Sequence, residues 1–304
     1  MISLDSFVRE TQKNDLTLYG IIVTKNGQRV GEHFWRSDIR IDMNSLSKSV
    51  VACAVALAIE EGLFALNDQV IGFFPEKIDG QPSDALRAMT IRHLLTMTVE
   101  HDHQLMSNKV RDDIQDLDWT HYYLNYPIIG TPGDRFFYDT GTTFILSAII
   151  QKVTGTTLLN YLKPRLFEPL GIRNPQWHTS PDGISVGGIG LFLNTDEISR
   201  FGQLFLEQGM YQGKQLVPSK FLAEAIKKQV DSSPVAGEGR DGTYGYGYQF
   251  WQNSWPNSYR AFGLYGQYAI IFPDLNAHIA ITAHEEKNPQ GILDLVWKEI
   301  APQL

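Results

Sequence analysis

Ser45 and Lys48 stand three residues apart at the start of a strongly apolar helical stretch. Three residues is almost one helical turn, so both side chains lie on the same face of the helix. Free N–H groups at a helix start favour an anion there, and burial lowers the pKa of a lysine amine. Because a neutral amine can take the proton of a neighbouring hydroxyl, the pair predicts an activated serine nucleophile.

The same two residues also have a purely structural interpretation. Serine is a good helix cap, and about one Ser-x-x-Lys match is expected by chance in a chain of this composition. The catalytic interpretation therefore depends on what the rest of the chain supplies.

Two later loops also carry residues that could take part in such chemistry. Residues 132–141 place Tyr138 just before a helix predicted over residues 143–154, and residues 263–267 (Gly-Leu-Tyr-Gly-Gln) lead into a predicted strand. Taken alone, Tyr138 is also explained as a buried tyrosine that closes a loop. Gly266 is also explained as a glycine that eases entry into a strand.

Composition excludes several classes of function. The 304 residues carry a formal net charge of −8, which argues against a general binder of nucleic acid or of anionic membranes. The single cysteine, Cys53, excludes an internal disulfide and gives no support for a cysteine metal site. Residues 1–14 lack the features of a secretory signal, and the longest apolar run is shorter than the roughly 20 residues that span a bilayer. We therefore expect a cytoplasmic protein.

The secondary-structure pattern places strands at both ends of the chain and helices between them. Asn-Gly at residues 26–27 predicts a hairpin of strands 16–24 and 28–35, and residues 274–276 join a second hairpin of strands 267–273 and 277–283. A further strand is predicted over residues 244–251, and a mobile polar stretch over residues 231–242. Helices are predicted over residues 1–14, 45–62, 83–97, 114–124, 143–154, 158–170, 196–208, 219–229 and 289–300.

Hairpins at both termini predict an α+β fold with one antiparallel sheet assembled from the two chain ends. Residues 1–62 and 210–304 would form the domain with the sheet, flanked by helices. Residues 63–209 would form an all-helical insertion, with the active site in the cleft between the two.

Taken as a set, the three motifs resemble the serine β-lactamase and penicillin-binding-protein superfamily, in the branch of β-lactamase-related serine hydrolases and esterases nearest class C. Residues 61–63, 94–97 and 167–171 are similar to that branch as well, and the resemblance covers residues from about 19 to 282. It implies a β-lactamase/transpeptidase-like fold and an enzyme that works through an acyl-enzyme without a cofactor.

The resemblance also implies roles for individual residues. Ser45 matches the acylated nucleophile, Lys48 its partner base, and Tyr138 the tyrosine of the Tyr-x-Asn motif. Either Lys48 or Tyr138 is the general base, since coupled groups are not assigned individually from sequence. The backbone N–H groups of Ser45 and Gln267 match the oxyanion hole.

Substrate recognition departs from the family pattern at two positions. Thr140 replaces the asparagine of Tyr-x-Asn, and a hydroxyl cannot supply both an amide donor and an amide acceptor. Leu264 replaces the lysine or histidine of the third motif, and a leucine cannot attract a carboxylate. The other substrate-binding residues implied by the resemblance are Tyr265, Gly266, Gly187 and Gly188.

These departures favour a serine hydrolase that acts on small esters or related acyl substrates. The alternatives are β-lactamase or D-amino-acid peptidase activity, with Arg260 as a replacement cation, or a non-catalytic binding or sensor protein that keeps the fold. The expected partner is a small acyl substrate, not a nucleic acid or a membrane. The oligomeric state is left open.

Two other groups of residues have a weaker claim to function. His101-Asp102-His103 has the residue types of a metal site, but no third partner accompanies it, so we predict a polar loop and no metal. The aromatic residues of 244–251 predict sheet packing, with Tyr246, Tyr248 or Trp251 lining the acyl pocket as the alternative.

Overall fold

A computed structural model of the chain describes residues 1–107, 111–114, 117–233 and 239–304. The strands are, in chain order, β1 (Leu18–Lys25), β2 (Gln28–Phe34), β3 (Ile41–Asp42), β4 (Gln176–Trp177), β5 (Leu191–Leu193), β6 (Met210–Tyr211), β7 (Lys214–Gln215), β8 (Trp251–Gln252), β9 (Tyr259–Gly263), β10 (Gln267–Phe272) and β11 (Ala277–Ala283). The α-helices are α1 (Asp5–Lys13), α2 (Ser47–Glu60), α3 (Asp84–Ala88), α4 (Ile91–Leu95), α5 (Trp119–Asn125), α6 (Thr140–Thr154), α7 (Leu158–Leu162), α8 (Thr195–Leu206), α9 (Ser219–Ala225) and α10 (Pro289–Leu295).

Both ends of the chain contribute to one six-stranded sheet, in the order β2-β1-β11-β10-β9-β8. Its strands pair antiparallel throughout. Asn26 and Gly27 join β1 to β2 with φ values of +52° and +71°, the left-handed values that a tight hairpin turn of this kind requires. The predicted α+β, β-lactamase/transpeptidase-like fold is confirmed.

Side chains on successive sheet residues pack into different layers, as a pleated strand requires. Ile21 and Val23 of β1 belong to a core that includes Phe7 of α1 and Ile292 of α10. Ile22, between them, belongs to the larger core on the opposite face, where α8 contacts β1, β10 and β11. The sheet is therefore covered by helices on both faces.

Helix α2 is buried along nearly its whole length, from Ser47 to Ala56 and again at Ala58. It contacts α6, α7, α9 and strand β9 of the sheet. This placement explains why its sequence is apolar on all sides. The predicted division into a sheet domain and a helical insertion stays a prediction.

Several predicted elements are wrong in extent. The helix predicted over residues 83–97 is two helices, α3 and α4, because Met89 is extended (ψ 125°) and Thr90 caps a new helix. The helix predicted from residue 143 begins at Thr140, capped by Asp139. The strand predicted over residues 244–251 is wrong: β8 covers only its last residue and the next one, and Tyr246 forms isolated bridges.

Other differences concern short elements and the limits of the description. Strands β3, β4, β5, β6, β7 and β9 were not predicted from the sequence. Residues 115–116 of the predicted helix 114–124 and residues 234–238 of the predicted mobile stretch lie outside the described residues. Within the described ranges no single helix has the length and apolarity to cross a bilayer; α6 and the segment Leu158–Phe167 pass that test only as a pair, bent by 72°.

Candidate active site

Ser45 lies in a single 3₁₀ turn, Asn44–Leu46, that runs directly into α2. Asn44 adopts a left-handed φ of +47°, and its N–H donates to Asp42 Oδ1 at 2.8 Å. Asp42 ends β3, which pairs with β5. The short sheet and the Asp42 carboxylate therefore fix the turn that presents Ser45.

Lys48 is the second residue of α2, about one turn after Ser45, and 1% of its surface is exposed. Its Nζ is 3.0 Å from Ser45 Oγ, 3.2 Å from Thr140 Oγ1 and 2.9 Å from Gly188 O. An ammonium can donate to all three oxygens, whereas a neutral amine can donate to two and accept the Ser45 proton. The arrangement therefore allows proton transfer from Ser45 without movement of the lysine.

Tyr138 is the third predicted catalytic residue that the fold brings to this point. Its ring centroid lies 5.2 Å from Lys48 Nζ. The ring packs against Trp251 at 5.4 Å and Tyr246 at 6.2 Å between centroids. Tyr246 and Trp251 therefore support Tyr138 from behind and are not among the residues that line the cavity beside Ser45.

The two predicted substrate-binding glycines lie behind Lys48. A Cβ on Gly188 would stand 3.1 Å from Lys48 Nζ and 2.8 Å from Thr140 Cγ2, so glycine is needed for the backbone to approach the lysine. Gly187 has a φ of +73°, and a Cβ there would stand 3.0 Å from Thr143 O of α6. Gly188 therefore contacts Lys48 directly, Gly187 packs against α6, and the next residue, Ile189, lines the cavity.

The end of β9 packs directly against the turn that carries Ser45. A Cβ on Gly263 would stand 2.0 Å from Met43 O and 3.1 Å from Leu46 N. The family pattern gave roles in the site to the four residues after Gly263 but none to Gly263 itself. The available signal was its residue type at the start of the third motif, since glycine can mark a close approach of two backbones.

The remaining residues of the third motif occupy different places. Leu264, 43% exposed, and Tyr265 line the cavity beside Ser45. Gly266 has a φ of +93°, and a Cβ there would contact Ile292 and not the cavity. Gln267 begins β10, and its side chain donates to Leu264 O at 2.8 Å and accepts from Ala283 N–H at 3.0 Å.

These residues enclose a cavity of about 400 Å³. Its lining, among the described residues, contains hydroxyl, amide and apolar side chains but no aspartate, glutamate, lysine or arginine. The lining residues are Asn44, Ser45, Gln104, Ser107, Tyr138, Thr140, Ile189, Phe262, Leu264 and Tyr265. The space therefore suits a small, uncharged molecule.

Asp139, between Tyr138 and Thr140, is fully buried and was not predicted as part of the site. Its Oδ1 accepts from Gly141 N–H at 3.0 Å and so caps α6. Burial raises the pKa of this carboxyl from 3.8 to about 8, although Lys48 and the backbone donors act in the opposite direction. Asp139 thus places a further titratable group, besides Tyr138, close to Lys48.

Three other groups considered from the sequence lie elsewhere. His101 Nδ1 donates to Pro127 O (3.0 Å), and its ring packs among aromatic rings, while Asp102 pairs with His103 at 2.6 Å. The Tyr248 hydroxyl accepts from Arg92. The Arg260 guanidinium donates to Gln252 O, Asn253 Oδ1 and Asp241 O.

A family model described as Beta-lactamase matches residues 4–297. The chain belongs to the beta-lactamase family. A lovastatin esterase of Penicillium rubens is 24% identical over 160 residues, which are 44% of this chain and 38% of that protein. A β-lactamase of Escherichia coli is 22% identical over 207 residues, which are 59% of this chain and 53% of that protein. The chain thus spans about half, or less, of the length of these two family members.

One solved structure shares the fold along nearly the whole chain. EstCE1, described as a hydrolase with promiscuous acyltransferase activity, superimposes with a TM-score of 0.75 at 17% identity and covers 97% of this chain and 98% of that chain. At this identity the likeness shows the fold alone. The family, the fold and the residues around Ser45 together identify a hydrolase of the beta-lactamase family.

The buried Asp139 leads to a prediction about pH and stability. Between pH 3.8, the ordinary pKa of the carboxyl, and about pH 8, the folded state keeps the Asp139 proton while the unfolded chain releases it. This difference lowers the free energy of unfolding by up to about 1.4 kcal/mol per pH unit. Asn keeps the cap on Gly141 N–H but cannot ionise. We expect Asp139→Asn to match the wild-type melting temperature at pH 4 and to exceed it by several degrees at pH 8. Scanning calorimetry from pH 4 to 9 checks this; a difference independent of pH contradicts it.

Proposed function

We propose that this protein is a serine hydrolase that forms an acyl-enzyme on Ser45 and hydrolyses small, uncharged esters. The observation that carries the proposal is the buried Lys48 amine at 3.0 Å from Ser45 Oγ. A serine with a base in hydrogen-bond contact, at the start of a helix and open to a cavity, has the arrangement of an activated nucleophile.

The proposed reaction follows from these positions. Ser45 Oγ attacks the ester carbonyl carbon, and its proton passes to the unit formed by Lys48 and Tyr138. Collapse of the tetrahedral intermediate breaks the bond to the alcohol, which leaves with that proton. Water then attacks the acyl-enzyme, gives up a proton to the same unit, and releases the acid and free Ser45.

The developing oxyanion needs two N–H donors, and Ser45 supplies one. For the second, Leu264 is a better candidate than the Gln267 suggested by the sequence motif. Leu264 lines the cavity with Ser45, and the preceding Gly263 touches the backbone of the Ser45 turn. We therefore assign the second donor to the Leu264 backbone.

Two features favour an ester over a β-lactam within this site. Leu264 and Thr140 line the cavity where the family pattern has a cation and an amide, and the lining is uncharged. The likeness to a lovastatin esterase agrees with this choice. A non-catalytic role is disfavoured because Ser45, Lys48 and Tyr138 are all in place.

One observation favours the second candidate, an acyl substrate that carries a carboxylate, such as a β-lactam or a D-amino-acid amide. A neighbouring cavity of about 260 Å³ shares Phe262 and Leu264 with the first, and Arg260 and Lys287 line it. The two basic side chains would attract a carboxylate that reaches past Leu264.

Steady-state assays of p-nitrophenyl butyrate and nitrocefin on one preparation separate the two candidates. Each charged hydrogen bond lost to the β-lactam is worth about 1.5–3 kcal/mol, so two weakened contacts predict a kcat/KM for nitrocefin lower by about a hundredfold or more. Ser45→Ala, assayed in parallel, should be inactive on both. A higher kcat/KM for nitrocefin would show that the proposed substrate class is wrong.

A further inference from the structure

The residues on either side of Tyr138 both hydrogen-bond to one residue outside the loop, Met97. Phe137 N–H donates to Met97 O at 2.7 Å, and Asp139 N–H donates to Met97 Sδ at 3.5 Å. The residues before and after Tyr138 are therefore held by the same methionine, Phe137 through the methionine carbonyl and Asp139 through its sulfur.

Met97 occupies a backbone position that normally belongs to glycine. It follows α4 with a φ of +56°, and the bonds Thr98 N–H to His93 O (3.0 Å) and Met97 N–H to Leu94 O (3.4 Å) close the helix end. This pattern of closing bonds favours glycine at the left-handed position, because a side chain there is disfavoured sterically. A methionine at this point supplies what glycine lacks, a side-chain acceptor.

The surroundings of the sulfur leave it little freedom to move. Met97 has no exposed surface and packs in one cluster with Phe136, Tyr246 and Trp251. All three of these aromatic rings also pack against the Tyr138 ring. The backbone bonds and the ring packing around Tyr138 therefore meet at the same methionine.

A second donor reinforces the contact. Thr142 Oγ1 lies 3.0 Å from Met97 Sδ and 2.8 Å from Asp139 O, so its single proton is shared between the two acceptors. The sulfur thereby joins the first turn of α6 to the residue before it. Without an acceptor at Met97, the buried Asp139 N–H would lose the sulfur as its partner.

We infer that Met97 is a positioning residue for Tyr138: its carbonyl and its sulfur hold the N–H groups of the residues before and after the tyrosine and so set the place of the phenol beside Lys48. The inference rests on the proposed function, in which Tyr138 and Lys48 share the Ser45 proton. It assigns to Met97 no contact with substrate.

Met97→Leu tests the role of the sulfur, because leucine has nearly the same volume and cannot accept a hydrogen bond. The readout is the rate at which a fluorophosphonate adds to Ser45, followed by intact mass from pH 5 to 10. We expect a rate lower by about tenfold. We also expect the acid limb of the profile to move to higher pH by about half a unit or more, because a phenol farther from Lys48 is harder to ionise.

Met89→Leu is the matched control, since Met89 is equally buried but has an ordinary φ of −65° at the end of α3. It should label at the wild-type rate within about twofold, with an unmoved profile. Met97→Gly is a second variant that suits the left-handed backbone and also removes the sulfur, so it should show the same loss and the same shift.

The outcomes separate the inference from the proposed function. A wild-type protein that the probe does not label overturns the proposed function and this inference with it. If the probe labels the wild type, and labels Met97→Leu or Met97→Gly at the same rate, the inference alone is overturned. A fall in rate that is uniform across pH also overturns it, because a smaller folded fraction would lower the rate without moving the profile.

Discussion

Replacement of Lys48 by alanine is expected to lower kcat/KM for p-nitrophenyl butyrate about a thousandfold or more, and Tyr138→Phe is expected to cost a similar factor. The amine is the group in contact with Ser45 Oγ, at 3.0 Å. The Tyr138 ring stands 5.2 Å from that amine. Because Lys48 and Tyr138 act together to accept the Ser45 proton, removal of either one disables the same proton transfer.

The double variant distinguishes a unit from two independent groups. Lys48→Ala with Tyr138→Phe should be little slower than either single variant, because a step already lost cannot be lost twice. Losses that multiply would contradict the shared role. Lys152→Ala and Tyr211→Phe, remote from the cavity lining, make the same chemical changes and should leave kcat/KM unchanged.

Gly263→Ala is expected to have the second large effect, a loss of activity of about a hundredfold or more. The new Cβ would stand 2.0 Å from Met43 O, a clash that the two backbones can relieve only by separating. Either the Ser45 turn or the end of β9 must then move, and Leu264 moves with β9. We expect both kcat and the melting temperature to fall.

The control is Gly72→Ala, where a Cβ would meet no atom within 4 Å and the backbone is not left-handed. It should leave kcat and the melting temperature near wild type. A Gly263→Ala variant with full activity would contradict the tight contact between β9 and the nucleophile turn.

The sequence predicted the parts of this fold that depend on local chemistry. The Asn26–Gly27 turn identified the first hairpin, and the apolar run after Lys48 identified a fully buried helix. The three-residue spacing of Ser45 and Lys48 was enough to place their side chains together, because one helical turn brings such residues to the same face. The family pattern added Tyr138, which lies nearly a hundred residues from Ser45 in the sequence and beside Lys48 in the fold.

What the sequence did not predict depends on contacts between distant segments. Gly263 has its role because β9 meets the Ser45 turn, and Met97 because the end of α4 meets the Tyr138 loop. Asp139 has an ordinary side chain whose pKa is unusual only because the fold buries it. The strand predicted over residues 244–251 was wrong because its aromatic residues pack in different places and not in a ladder. Tyr246 and Trp251 pack against Tyr138, whereas Tyr248 and Phe250 pack against other aromatic rings.

The central claim, that Ser45 is the nucleophile, is tested most directly by intact-mass spectrometry after exposure to a fluorophosphonate, with peptide mapping of the adduct. The account predicts one adduct per chain, on the peptide that contains Ser45, and no adduct on Ser45→Ala. An adduct that persists on Ser45→Ala, or that maps to another residue in the wild type, would contradict it.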